Sequence, residues 1–209
     1  MKPQLILVAT AFLTISSTTS AEYIPGVTAT TNMGSGFGTN LQNTVNAVGL
    51  SSPSLSATHA GTTPFNSWVS QQNAFTGVIT FDLGGRYPVD GFSFWNQNGG
   101  GPGPLGSSGI RDVEVLFSLD GSTFAPLLGG PAAFARVTGS TNLAPEIFSF
   151  TPVDATHFRF NVLSNWGDPL QVGFAEVAFS AVPEPGAAGF CFLAIATPLL
   201  SRIRRRRGA

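Results

Sequence analysis

Apolar residues recur at every second position in five short runs of this 209-residue chain. In Val78-Ile79-Thr80-Phe81-Asp82-Leu83, the side chains of Ile79, Phe81 and Leu83 share one face of an extended chain, and Thr80 and Asp82 take the other. The same period returns in 91–96, 112–118 and 157–162, and more loosely in 173–179. Glycine, proline and aspartate punctuate the runs at Gly84-Gly85, 99–106, Asp120-Gly121 and Gly129-Gly130-Pro131. Long helical periodicity is absent. One helical turn is expected at 41–48, where Thr39 and Gln42 have capping-box spacing and Gly49 can end it. Many short strands divided by turn signals predict an all-β sandwich or jelly roll closed around one core.

Both ends of the chain read as targeting segments. Lys2 and the apolar stretch 5–13 lead to Thr19-Ser20-Ala21, whose small residues suit cleavage after Ala21, so 1–21 is expected to be a signal peptide. The alternative, a buried N-terminal helix, is opposed by the serine/threonine run 14–20, a poor helix interior. At the other end Val182, Pro183, Glu184 and Pro185 precede an apolar stretch 186–200, then Arg202 and the cluster Arg204, Arg205, Arg206 and Arg207. As a helix, about 15 residues span roughly 22 Å, short for a hydrocarbon core of roughly 30 Å, which suits a temporary anchor. The arginines hold the end 201–209 in the cytoplasm and leave the preceding chain outside. This order of parts resembles the PEP-CTERM sorting signal, which implies an exosortase-type processing enzyme, transient anchoring in the inner membrane by the helix 186–200, and delivery to the cell surface or extracellular matrix. The expected organisation is therefore a signal peptide 1–21, a domain 22–181 and a sorting signal 182–209.

Setting the ends aside changes the charge. Between Glu22 and Pro185 four arginines face all eleven acids of the chain, a net charge of about minus seven, which excludes binding of nucleic acid or anionic lipid by charge. The single cysteine, Cys191, lies in the apolar tail, so the domain is stabilised without a disulfide. About 160 residues are enough for one core. The glycine/proline run 99–106 follows a strand and precedes another strand rather than a helix, which makes it a loop and not a phosphate cradle.

Further residues carry a second resemblance. Phe81-Asp82-Leu83-Gly84, a strand with Trp95-Asn96, and Gly109-Ile110-Arg111-Asp112-Val113-Glu114-Val115 running into Ser118-Leu119-Asp120-Gly121 follow one another in the order found in discoidin-type, galactose-binding-like domains. His157-Phe158-Arg159-Phe160, Leu163-Ser164-Asn165-Trp166-Gly167 and Gly173-Phe174-Ala175-Glu176-Val177 are similar to the last two strands of such a domain. The resemblance covers roughly 26–180. It implies an eight-stranded antiparallel jelly-roll β-sandwich with any ligand held by loops at one end. It also implies a structural calcium ion held by loop carbonyls, an early Asp and a late Glu. Glu176 matches the late position and Asn46 stands where the Asp would be. The residues themselves leave another reading open: Glu176 bonding neighbouring loop amides, and Asn46 capping a turn.

Sugar binding needs an aromatic face and planar polar side chains. Trp166, between Asn165 and Asp168, forms the candidate cluster, with Asn96, Asn98 and Arg111 as neighbours if the loops converge. The competing reading buries the indole to close the end of the sandwich, as is expected for Trp68 and Trp95 inside strands. Catalysis has little to stand on. His59 and His157 have no visible partners and are read as solvated or locally hydrogen-bonded, and no Gly-x-Ser-x-Gly elbow occurs. Asp112 and Glu114 share a strand face about 7 Å apart, a spacing glycosidases use but solvated strands also show. The expected protein is a noncatalytic exported domain that binds carbohydrate or exopolysaccharide. The alternatives are a structural or adhesive surface protein without a sugar site, and a secreted glycosidase.

Overall fold

A computed structural model describes residues 21–99 and 103–183. The expectations for the signal peptide, for Glu184 and Pro185, for the helix 186–200 and for Arg204 to Arg207 lie outside the described residues, apart from Ala21. Among the described residues no helix is long and apolar enough to cross a membrane.

Among the described residues eight strands form: β1 (Glu22–Tyr23), β2 (Thr28–Thr31), β3 (Trp68–Val69), β4 (Gly77–Asn96), β5 (Val113–Ser118), β6 (Ala125–Pro126), β7 (Glu146–Val162) and β8 (Gly173–Ala181). Every strand pair is antiparallel. The hydrogen-bonded order is β1-β8-β4-β7-β5-β6, with β2 on β4 and β3 on β8. Two long strands, β4 and β7, serve both layers. The first part of β4 pairs with β2 and with the end of β7, whereas its last part pairs with β8 and with the start of β7. Register breaks between Asp82 and Tyr87 and between Val89 and Gly91 separate these halves. Gly84 sits in the first break at φ +73, a backbone conformation that glycine adopts without a Cβ penalty. The ladder thereby folds over on itself around one core.

Alternation fills that core. Ile79, Phe81 and Leu83 are fully buried while Asp82 faces solvent. Rings from the two layers meet edge-on or tilted, as in Phe81 against Phe179 (5.5 Å) and Phe92 against Phe160 (5.5 Å). Strand β8 is buried at every position, which explains its loose alternation. Its second face, with Trp95, is covered by Leu50, Leu55, Leu143 and Val137 from loops. The Trp95 indole donates to the Ala57 carbonyl (3.0 Å), and Trp68 donates to the Gly34 carbonyl (3.1 Å); both tryptophans are buried. The helical turn is shorter than expected, a 3-10 turn at Leu41–Thr44, and its cap is Asn40, whose side chain accepts the Gln42 N–H. Thr39 instead donates to the Gly36 carbonyl (2.8 Å), and Gln42 reaches back to Ala29, so the capping box does not form.

Chain direction sorts the loops. Glu22 pairs with Ala181 at one end of the sandwich. The ends of β4 and β7 and the starts of β5 and β8 lie at the other, where Gly109 bridges Gly173 and Ile110 bridges Asn165. Gly173 admits no side chain there, since a Cβ would lie 2.2 Å from the Trp68 carbonyl oxygen.

Candidate functional site

At this second end the loops enclose a groove of about 190 Å³. Its buried floor comprises Ser67, Val69, Gln97, Ser108 and Gln171, and its rim comprises Phe37, Thr63 and Pro64. Phe37 stands between two glycines at φ +50 with its ring 58% exposed. The turn that lifts it is tied to the floor strand by the Gly36 N–H on the Val69 carbonyl (2.9 Å). A bulky residue in the left-handed region is uncommon, and here it places an aromatic side chain at the rim of a groove whose floor carries two amides. Phe65, beside Pro64, is 82% exposed. Among the described residues no charged side chain lines the groove.

Four of the residues singled out from the sequence brace the groove from behind. Asn98 is buried and its amide oxygen accepts both the N–H (2.9 Å) and the hydroxyl (2.6 Å) of Thr62, a wall residue. Asn96, also buried, accepts the Gln97 and Ile110 N–H groups (2.9 Å each) and donates to the Ile110 and Ala135 carbonyls. Asp168 is buried and accepts the Leu170 (2.8 Å) and Gln171 (3.1 Å) N–H groups, while Asn165 donates to the Asp168 (2.9 Å) and Gln171 (2.8 Å) carbonyls. Together they fix the backbone that carries Gln171 into the floor. Gln171 is itself buried, and its amide oxygen has no hydrogen-bond partner among the described residues. Burying such a group unpaired costs about 1–3 kcal/mol, and an incoming hydroxyl would relieve it.

Trp166 and Arg111 occupy the neighbouring flank. The half-buried indole donates to the Phe134 carbonyl (3.2 Å), and the Arg111 guanidinium lies 5.8 Å from its ring centre. Arg111 also pairs with Asp112 (2.8 Å), which accepts the Ser164 hydroxyl (2.6 Å). Hydrogen bonds from Arg111 and then Ser164 hold the Asp112 carboxyl below its ordinary range. Glu114 accepts from Asn161 (2.7 Å). His157 lies 3.7 Å from Asp82 and its Nδ1 is 2.8 Å from the Thr156 hydroxyl. His59 is not in a solvated loop: it is fully buried, its ring nitrogens against the Ala60 and Asn66 carbonyls. Sequence reasoning missed Phe37, Gln97 and Gln171; the signal for the first was available in Gly36-Phe37-Gly38, an aromatic isolated in a glycine turn.

Around Glu176 the contacts run from side chain to loop backbone. Glu176 is fully buried; Oε1 accepts the Ala47 N–H (3.0 Å) and Oε2 has no partner among the described residues. Burial pushes its carboxyl up to about 8. Asn46 is exposed and its side chain accepts the Val48 N–H (3.0 Å). The Ala47 and Gly49 carbonyls accept the Leu50 (3.1 Å) and Ala60 (2.8 Å) N–H groups. Calcium needs about six to eight oxygens and usually several carboxylates, and among the described residues no three His, Cys, Asp or Glu side chains gather.

Comparison with known proteins bears on the fold. Residues 28–174 match the model of the F5/8 type C domain. No curated protein matches the chain. A CBM32 module from Clostridium perfringens, solved in complex with GalNAc-β-1,3-galactose, superposes with a TM-score of 0.52 at 18% identity, covering 77% of this chain and 100% of that one. CBM32-1 from a family 31 glycoside hydrolase of the same organism gives 0.54 at 16% identity, covering 76% and 96%. The family 32 module of Clostridium perfringens NanJ, solved with galactose, gives 0.50 at 14% identity, covering 77% and 99%.

Proposed function

The chain belongs to the F5/8 type C domain family, and from that premise we propose that it is a noncatalytic module that binds carbohydrate in the groove beneath Phe37. The observation that carries this reading is the pairing of an exposed aromatic face with buried amides: Phe37 covers the apolar side of a pyranose, and Gln97 and Gln171 meet its hydroxyls. The unpaired amide oxygen of Gln171 gains a partner when a sugar hydroxyl enters. The likeness to modules solved with galactose and GalNAc-β-1,3-galactose supports the same class of ligand. Arg111 and Trp166 lie close enough in sequence and space to the Asn165 to Gln171 loop to contact a longer glycan at the flank.

A glycan array followed by calorimetry with galactose and GalNAc tests the reading. Binding that Phe37→Ala abolishes, with the melting temperature held, supports it. A blank array from folded protein removes it and favours a structural or adhesive surface protein. The delivery route belongs to the same proposal: signal-peptide removal after Ala21, an exosortase-type enzyme acting near Pro183-Glu184-Pro185, and retention at the cell surface or in matrix polysaccharide. Intact-mass measurement of surface and matrix fractions locates both termini; Met1 and the terminal arginines still present in that material would overturn the route.

A further inference from the structure

The loop 45–50 lies between β8 and the ring of His59. Ala47 sits at φ +62 and turns its N–H onto the buried Glu176 carboxyl at 3.0 Å. On the other side of the loop, Gly49 lies against the His59 imidazole so closely that a Cβ would fall 2.0 Å from Nε2. The histidine is itself fixed. Its backbone exchanges two 2.8 Å hydrogen bonds with Leu143, Nδ1 faces the Ala60 carbonyl, and Nε2 lies 3.1 Å from the Asn66 carbonyl.

We infer that this chain locks the loop with its own side chains where the resemblance implies a calcium ion: Glu176 receives the Ala47 N–H, the His59 ring fills the space above Gly49, and folding is independent of calcium. A metal cradle turns oxygens toward the ion, and here the loop turns an N–H toward the one carboxyl present. Three of the loop's oxygens are already engaged, the Asn46 amide oxygen by Val48, the Ala47 carbonyl by Leu50 and the Gly49 carbonyl by Ala60. The same histidine reaches the groove, because its Nε2 lies against the carbonyl of Asn66, whose side chain accepts the N–H of the rim residue Thr63 at 2.6 Å. The lock therefore braces the rim as well as the loop.

Thermal melting of the full chain in EDTA and then in millimolar calcium chloride, with calorimetric titration of calcium, tests this inference. The expected result is a melting temperature that agrees within about 1 °C between buffers and no heat of binding. A saturable rise of several degrees on adding calcium overturns it. Glu176→Gln, which keeps an acceptor for Ala47 and removes the carboxyl that faces this loop, is expected to melt at or above the parent protein in both buffers. A drop of several degrees in that variant overturns the inference equally. Neither readout uses sugar binding, so an error in the ligand assignment leaves this test intact.

Discussion

Asn98 joins its own loop to that of Thr62 through a single amide, accepting the threonine N–H at 2.9 Å and its hydroxyl at 2.6 Å while donating to the Gly139 carbonyl at 2.6 Å. Three segments thus meet on one buried side chain. Asn98→Ala leaves the Thr62 N–H and the Gly139 carbonyl without this partner, which costs about 2 kcal/mol. The expected outcome is a matching loss in urea denaturation, together with sugar affinity weakened about tenfold or more because the groove wall loses its anchor. Unchanged affinity in a destabilised variant would show that Thr62 does not contribute to the site.

Trp166 offers a contrast with Phe37. Its indole N–H is committed to Phe134 and its face lies near Arg111, so it closes the end of the sandwich as well as flanking the groove. Trp166→Ala is expected to lower stability by about 2 kcal/mol, from lost packing and an unpaired carbonyl. Phe37, 58% exposed, is expected to change stability little when truncated. Parallel melts of the two variants check the difference, and equal melting temperatures would refute it.

Phe134 reaches the core from a loop. It stacks on Phe94 with ring centres 3.7 Å apart and planes 18° apart, and it lies 5.6 Å from Phe148 and 5.7 Å from Phe160. Its own carbonyl holds Trp166. Phe134→Ala therefore opens a cavity among aromatic rings and is expected to cost about 3–5 kcal/mol, read as a shift in the urea midpoint with an unchanged slope.

The strands that alternate were legible because a period of two is a local property. Phe81 and Phe160 announce their inward face several residues at a time. Phe134 was not legible, since Pro131-Ala132-Ala133-Phe134 has no period and its burial depends on where a long loop lands. The site divides in the same way. Asn96, Asn98, Asn165 and Asp168 stood out by chemical type, yet type does not distinguish a side chain that meets ligand from one that holds the neighbouring backbone. Gln97 and Gln171, one and three residues beyond them, line the groove. That offset follows from turns closed through long-range hydrogen bonds, which no short window of sequence contains. The covering of Gly49 was not legible for a related reason: the ring comes from ten residues away and depends on the Leu143 bridge to stay there.

Glu176 makes stability depend on pH in a direction opposite to most carboxylates. Its folded carboxyl is pushed by burial from the ordinary 4.5 to about 8, opposed in part by the Ala47 N–H. Between these values the folded state holds a proton that the unfolded chain has released, so stability is greatest below about 4.5, falls as pH rises, and levels off above about 8. The full span is on the order of 5 kcal/mol. His59 acts in the other sense: burial lowers its affinity for a proton, so its contribution is complete above 6.5 and is lost as pH falls. Glu176→Gln removes the first dependence and leaves the second. The difference in unfolding free energy between parent and variant, measured in urea at pH 5 and pH 8, isolates the glutamate, and the variant is expected to gain relative to the parent as pH rises. A difference that stays constant across that range would mean that Glu176 is ionised throughout, which requires a positive partner for its Oε2.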